Sequence, residues 1–359
     1  MKRRLPLSLF IVLFTLFLAI PPAEACTYFF IKAKDGAIVT GRTQEFYSML
    51  DSRIDVVPRG TSFTSTAPAD AKALQWKNRF GFVAVSHFGL RCYSDGLNEK
   101  GLAAGSLWFA DVRYPETKAG TEVIDIIDIV GWVLGNFSTV DEVKAALASK
   151  NISAAYRKEL KLVPPLHHYV TDAKGNSIVL EFIDGKLKIW ENSTIGVMTN
   201  EPDQGWHLEN LRFYSNMKAF DVPIPDLKDE QWSLGTGLKG LPADYTSASR
   251  FARIAVLKYF ADKPRNGDEA VNLALHLINT VDIPYGPQLW IVGQTGNVQF
   301  TPWIVVYDQA ARLFYYRTYE NQNLRRIDLT KLDLSEKGPY RSLEIYGGKP
   351  FMDDTGRFR

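Results

Sequence analysis

From Thr27 onward the apolar positions are spaced for strands. Tyr28-Phe29-Phe30-Ile31 is a run of aromatic and β-branched residues, Lys34-Asp35-Gly36 is a turn, and Ala37 to Arg42 is a second run. The pattern predicts a hairpin turning at Asp-Gly. Its arms carry Arg42 back beside Cys26. Arg53 to Gly60 reads as a strand closed by Pro58, and Thr61 to Lys72, small and polar, as a surface loop. Phe80 to Phe88 and Gly101 to Phe109 read as strands, with Asp95 to Gly101 a turn-rich connection between them. Strands are again predicted over Tyr169 to Asp172, Ser177 to Ile183 and Lys186 to Trp190.

Helical spacing appears over Thr121 to Leu134, with Val123, Ile126, Ile127 and Val130 on one face. Ser138-Thr139-Val140-Asp141 opens the next helix as a capping box with Asp in place of Glu, running to about Ser149. Asp203 to Met217 and Asp268 to Asn279 are further helices. So is Ser247 to Phe260, with Phe251, Ile254, Ala255 and Tyr259 on one stripe. Leu289 to Val292, Val298 to Tyr307 and Ala311 to Tyr319 close the chain as strands, and the tail 337–359 wraps the surface. This block order predicts an α+β protein, antiparallel sheets covered by helices, with 26–359 a single domain.

The first 25 residues differ from the rest. Lys2-Arg3-Arg4 is a positive cluster, Leu5 to Ile20 is uncharged and largely apolar, and Ala23 and Ala25 are the small residues a signal peptidase requires at −3 and −1. Residues 1–25 thus read as a signal peptide, and the protein as exported, periplasmic or secreted. At roughly 20 residues for a membrane span, the apolar run is short for an anchor, and no second stretch is long enough to span a bilayer. The chain has 359 residues, 46% hydrophobic and 23% charged, with a net charge of +2 and no basic cluster in the mature part. Disorder and nucleic acid are therefore poor readings.

A cut after Ala25 makes Cys26 the first residue and gives it both a thiol and an α-amine. Their ordinary pKa values, about 8.5 and about 7.7–8.0, are close enough for the amine to serve as the thiol's own base. Two other fates are open. Cys26 and Cys92, the two cysteines of the chain, can form one disulfide. Cys26 can also be lipidated, giving a membrane-anchored binding lipoprotein without catalysis, although Ala23 and Glu24 suit that signal poorly. A papain-like protease lacks its C-G-[SA]-C-[WY] context here. The five histidines show no metal-ligand spacing, and no phosphate loop, dinucleotide fingerprint or G-x-S-x-G elbow occurs. No metal and no cofactor are called for.

Cys26-Thr27-Tyr28-Phe29, Asp35-Gly36 and Gly41-Arg42-Thr43-Gln44-Glu45-Phe46 resemble the mature N-terminus of the choloylglycine hydrolases and penicillin V acylases. Further resemblances follow in order: Asp95-Gly96-Leu97-Asn98-Glu99-Lys100-Gly101-Leu102, Gly196 to Pro202 with Trp206 to Arg212, Leu241 to Phe251, and Thr301-Pro302-Trp303 with Arg317-Thr318-Tyr319. The resemblance implies a four-layer αββα N-terminal-nucleophile hydrolase that cleaves linear, non-peptide C–N amides. Its substrates would be small molecules with an apolar acyl group: conjugated bile salts, penicillin V or N-acyl homoserine lactones. By the same resemblance Cys26 is the nucleophile, Arg42 the guanidinium beside it, Asn200 the oxyanion-hole side chain and Arg250 the support of the charge network. Trp108 stands where relatives hold Asn or Tyr and would give a backbone N–H to the oxyanion hole. Glu45 replaces an Asp that contacts the nucleophile's amine, one methylene longer. Relatives are often tetramers, so the implied assembly is a homotetramer.

Overall fold

The computed structural model describes residues 25–221, 235–292, 295–352 and 357. Most of the expected signal peptide 1–25 and part of the tail 337–359 therefore lie outside the described residues. Two large antiparallel sheets form the body. One has seven strands and the other eight among the described residues. The first is centred on β1 (Thr27–Lys32) and β2 (Ile38–Phe46), flanked by Val197–Met198 and by the long strand Thr295–Asp308. The second runs from Lys186–Glu191 through Ser177–Ile183, Leu166–Thr171, Ala103–Trp108, Tyr93–Asn98 and Phe82–Ser86 to β3 (Arg53–Val57) and Arg341–Glu344.

Alternation along each strand assigns its two faces. In Phe82–Ser86, Val83 and Val85 face the first sheet, packing with Tyr28, Ile38, Val305 and Tyr307. Phe82 and Ala84 face outward, against α1 (Ile129–Asn136) and α2 (Val140–Leu147). In β1, Tyr28 and Phe30 point inward, while Phe29 and Ile31 pack outward. Their outer partners include Phe251 and Ile254 of α4 (Ser247–Phe260) and Ala274 and Leu277 of α5 (Gly267–Asn279). Because both faces of both sheets are covered, the strands read as continuous apolar runs. The layers are helix, sheet, sheet, helix, the α+β sandwich expected from the sequence.

The predicted hairpin forms in register, with Tyr28 opposite Arg42 and Thr27 opposite Thr43. Several other expectations are corrected. Asp95 to Gly101 is largely the strand Tyr93–Asn98. Gly96 belongs there because a Cβ would sit 2.6 Å from Leu134 of α1, and Asp95 finds buried partners described below, so tertiary contacts override turn propensity. Thr121 to Leu134 begins as the strand Glu122–Asp125; Asp125 then accepts the Ile127 N–H at 3.2 Å and starts the helical turn that leads into α1. The capping box lies one residue later than expected. Thr139 Oγ1 accepts from Glu142 N at 3.3 Å, and the Glu142 carboxylate accepts from Ser138 N at 2.7 Å, so Glu142 fills the usual Glu position.

Ser62–Thr64 pairs with Gln75–Lys77, so the Thr61 to Lys72 loop is partly a ribbon. Asp203 to Met217 is shorter than expected: α3 (Gln204–Leu211) gives way to a 3-10 turn at Arg212–Tyr214. Tyr259 leaves the α4 core stripe and is 82% exposed. The tail contributes an edge strand, Arg341–Glu344, paired with β3.

Candidate active site

The start of β1 is where the candidate residues meet. Cys26 is buried. Hairpin pairing places Arg42 across from Tyr28, and its side chain reaches back along the inner face. Arg42 Nη2 lies 3.9 Å from Cys26 Sγ and donates to the Ser106 carbonyl at 2.9 Å. The guanidinium rests on the Trp303 ring, 4.6 Å from its centroid. Burial opposes this charge, yet the anionic forms of Cys26 and Asp95 outweigh it and hold Arg42 above its ordinary pKa. A cation so placed favours the thiolate. Cys26 and Cys92 are not joined in a disulfide.

Asn200 and Arg250 close the other side. Asn200 Oδ1 accepts from Cys26 N at 2.7 Å and from Arg250 Nη2 at 2.7 Å, while its Nδ2 donates to the Trp108 carbonyl at 2.8 Å. Two donors on one amide atom and a carbonyl on the other leave a single consistent orientation. Nδ2 carries a second N–H besides the one given to Trp108. Arg250, from the first turns of α4, also donates to the Cys26 carbonyl at 2.5 Å, to Thr27 Oγ1 at 2.7 Å and to the Tyr245 carbonyl at 2.9 Å. Burial lowers its pKa, and Glu45 and Cys26 act against that.

Glu45 follows Arg42 by three residues on β2, so alternation sends its side chain to the opposite face. Its carboxyl accepts from Thr43 Oγ1 at 3.0 Å and Thr301 Oγ1 at 2.8 Å. Burial raises its pKa to about 8, against the pull of Arg250. Glu45 thus belongs to the Arg250 side of the network.

Residues not singled out from the sequence complete the frame. His207, on α3, donates from Nε2 to the Asn200 carbonyl at 2.9 Å and stacks on Phe251. Ser247, the first residue of α4, accepts the Asn200 N–H at 3.0 Å. Asp95 lies 3.3 Å from Arg42 Nε. Each falls within or beside a segment that carried the resemblance, but nothing in its spacing marked it.

A cleft of about 80 Å³ opens over Cys26, walled by Phe46, His87, Trp108, Leu160 and Leu166. The Trp108 indole N–H is buried without a partner. A larger cavity, about 650 Å³ between α3 and the end of α4, is lined by Leu208, Tyr214, Ala255, Lys258 and Tyr259. None of Cys26, Arg42, Asn200 and Arg250 lines it, so volume is a poor guide to where these residues meet. Among the described residues no cluster of three or more His, Cys, Asp or Glu could hold a metal ion, and no helix is long and apolar enough to cross a membrane.

Comparison with known proteins bears on this arrangement. The model of the linear amide C–N hydrolases, choloylglycine hydrolase family, matches residues 26–342. A bile salt hydrolase/transferase of Clostridium perfringens is 33% identical over 316 residues, 86% of this chain and 94% of that protein. A penicillin V acylase of Pectobacterium atrosepticum is 27% identical over 321 residues, 84% of this chain and 79% of that one. In structure, a variant of the conjugated bile acid hydrolase from Clostridium perfringens superposes with a TM-score of 0.79 at 29% identity, over 92% of this chain and 99% of that one. The penicillin V acylase from Agrobacterium tumefaciens gives 0.73 at 27% identity, over 89% and 91%.

Proposed function

The chain belongs to the choloylglycine hydrolase family of linear amide C–N hydrolases, and on that premise we propose that it works through Cys26 as an N-terminal nucleophile. It is an amide hydrolase; the mechanism, substrate and location below are our reading.

Cleavage after Ala25 would turn the Cys26 nitrogen into an α-amine. That nitrogen already lies 2.7 Å from Asn200 Oδ1, and this is the observation that carries the reading. The amine takes the thiol proton, the thiolate attacks the substrate carbonyl, and the protonated amine then passes its proton to the leaving nitrogen. An acyl-thioester remains on Cys26, and water hydrolyses it. The spare N–H of Asn200 Nδ2 and the Trp108 backbone N–H would receive the oxyanion. Arg42 stabilises the thiolate, Arg250 holds Asn200 and Cys26 together, and the Glu45 carboxyl, largely protonated at neutral pH and held by Thr43 and Thr301, lines the Arg250 side.

The substrate has an apolar acyl group and a polar amine, in the class of conjugated bile salts, penicillin V and N-acyl homoserine lactones. The narrow apolar cleft favours a slim acyl end, aryl or alkyl, over a steroid nucleus. Export rests on the positive cluster, the apolar run and the cut site. The enzyme would stay inert until signal peptidase releases the amine. Self-association as a homotetramer is proposed from the family resemblance alone.

Two variants test the mechanism. Cys26→Ala should fold and be inactive. A protein that keeps residues before Cys26 should bind substrate without turnover. Full activity in either would overturn the reading. A panel of glycocholate, taurocholate, penicillin V and long-chain acyl homoserine lactones, scored by released amine, tests the substrate, and preference for the cholates would overturn the slim-acyl assignment.

A further inference from the structure

Asp95 sits between the two sheets with no solvent exposure. Three side chains converge on its carboxylate. The Tyr169 hydroxyl donates to Oδ1 and Oδ2 at 2.9 Å each, the Tyr307 hydroxyl donates to Oδ1, and Arg42 Nε stands 3.3 Å from Oδ2. Tyr169 shares a sheet with Asp95, whereas Arg42 and Tyr307 come from the other sheet. The surroundings are shaped to this carboxylate. Gly105, its cross-strand partner, has no side chain, and a Cβ there would collide with Asp95 Oδ2 and the Tyr169 ring. Tyr28 stacks on Tyr169 with ring centroids 3.7 Å apart.

The same contacts define Arg42. Its face lies on Trp303, Nη2 reaches Ser106 O and Cys26 Sγ, and Nε faces Asp95. A long arginine side chain loses rotamer freedom when held in one place, so a guanidinium that must stand at one thiol gains from an anchor on its far side. Asp95 supplies that anchor as a buried negative charge, an ion-pair contact at 3.3 Å from Nε rather than an aligned hydrogen bond. Burial raises its carboxyl to about 6, with Arg42 and the two tyrosine hydroxyls opposing the rise, so the ionised form prevails at neutral pH.

We propose that Asp95 is a positioning residue for the reaction: held by Tyr169 and Tyr307, it fixes the Arg42 guanidinium against Cys26 and thereby keeps the thiol reactive near neutral pH. The inference rests on Cys26 being the nucleophile. The titratable groups that face Asp95 are Arg42, Tyr169, Tyr307 and, behind Tyr169, Tyr28. The groups whose charge couples to Arg42 are Cys26, Asp95, Tyr169 and His87 and, from the opposite face of β2, Glu45.

The test uses mature wild type, Asp95→Asn, Arg42→Lys and the double variant. Alkylation of Cys26 by iodoacetamide is followed from pH 5 to 10, with peptide mass separating Cys26 from Cys92, alongside kcat and KM on an amide that the wild type cleaves. In Asp95→Asn the alkylation midpoint should rise by about one pH unit, and kcat should fall roughly tenfold with KM little changed. In the Arg42→Lys background the Asn change should cost little more. The sign decides between explanations. Removing an anion beside an arginine that stays in place would lower the midpoint, so an unmoved or lowered midpoint overturns the proposal, as does full additivity in the double variant. Should Asp95→Asn fail to fold, Tyr169→Phe and Tyr307→Phe each remove one donor to Asp95 without touching Arg42. A smaller upward shift is then expected, and none would overturn the proposal. Activity surviving in Cys26→Ala would instead sink the nucleophile reading, which the alkylation midpoint does not measure.

Discussion

Asn200 Oδ1 receives the backbone nitrogen of Cys26 at 2.7 Å across 174 positions of sequence. The same oxygen takes Arg250 Nη2, so one amide ties β1 to α4 and orients its own N–H toward Trp108. Asn200→Asp separates the two halves of that amide. The carboxylate still accepts from Cys26 and Arg250 but can no longer donate. If Nδ2 serves the oxyanion, kcat should fall about 10²–10³-fold with the fold retained. Steady-state kinetics beside circular dichroism make the check; wild-type kcat would exclude the role.

Arg250 is placed for stability as much as for chemistry. Its guanidinium satisfies the carbonyls of Cys26 and Tyr245, the Thr27 hydroxyl and Asn200 Oδ1. Arg250→Ala strands these acceptors inside the protein and should cost roughly 3 kcal/mol or more, read as a lower urea midpoint. Arg250→Lys should recover only part, because a single ammonium cannot match the fork. Equal midpoints for the lysine variant and wild type would show that charge alone suffices.

Trp108 narrows the cleft beside Cys26. Trp108→Leu keeps an apolar wall and opens space. The ratio of kcat/KM for a steroid conjugate over a phenoxyacetyl amide should rise by about tenfold. A ratio that does not move would assign the selectivity to other walls of the cleft.

Glu45 gives a prediction with a definite sign. Burial raises its folded pKa to about 8 from the ordinary 4.5. The native state therefore holds a proton that the unfolded chain releases above pH 4.5. The stability this confers is complete below about 4.5 and is lost as pH rises through about 8. Glu45→Gln keeps the shape and removes the titration, so its stability should fall less than wild type's between pH 5 and 8. Parallel curves from urea unfolding would contradict the assignment.

The hairpin and the helices α4 and α5 were legible in the sequence because periodicity and turn chemistry agree there. Arg42 beside Cys26 followed directly from the Asp35-Gly36 turn. The strand Tyr93–Asn98 was not legible. Asp95 and Gly96 are turn-forming residues by local propensity, and only the buried Arg42, Tyr169 and Tyr307 on one face and Leu134 on the other make a strand the better choice. His207 and Ser247 were hidden for a related reason: their hydrogen bonds are to the Asn200 backbone, and long-range pairing of that kind leaves no periodic trace. Glu45 lies on the face opposite Arg42, as strand alternation already implied, with its carboxyl on Thr43 and Thr301.

His207 should reveal itself at acid pH. Its ring is buried between Phe251 and the backbone carbonyl of Asn200, and burial lowers its pKa from 6.5 to about 4, although the Asn200 hydrogen bond pulls upward. The native ring is therefore neutral where the unfolded one is charged. Stability from this group is complete above about 6.5 and is lost as pH falls through about 4, amounting to about 3 kcal/mol over the whole interval. Glu45 acts in the opposite direction, and Asp95, raised to about 6, does too, so the wild-type curve alone hides each contribution. The difference between wild type and His207→Gln exposes one. The glutamine can still donate to the Asn200 carbonyl but carries no titrating proton. Its stability deficit, measured by urea unfolding, should shrink steadily from pH 7 to pH 4. A constant deficit would mean that the ring titrates alike in both states, and His207 would then be a packing residue whose neutrality plays no part in holding Asn200.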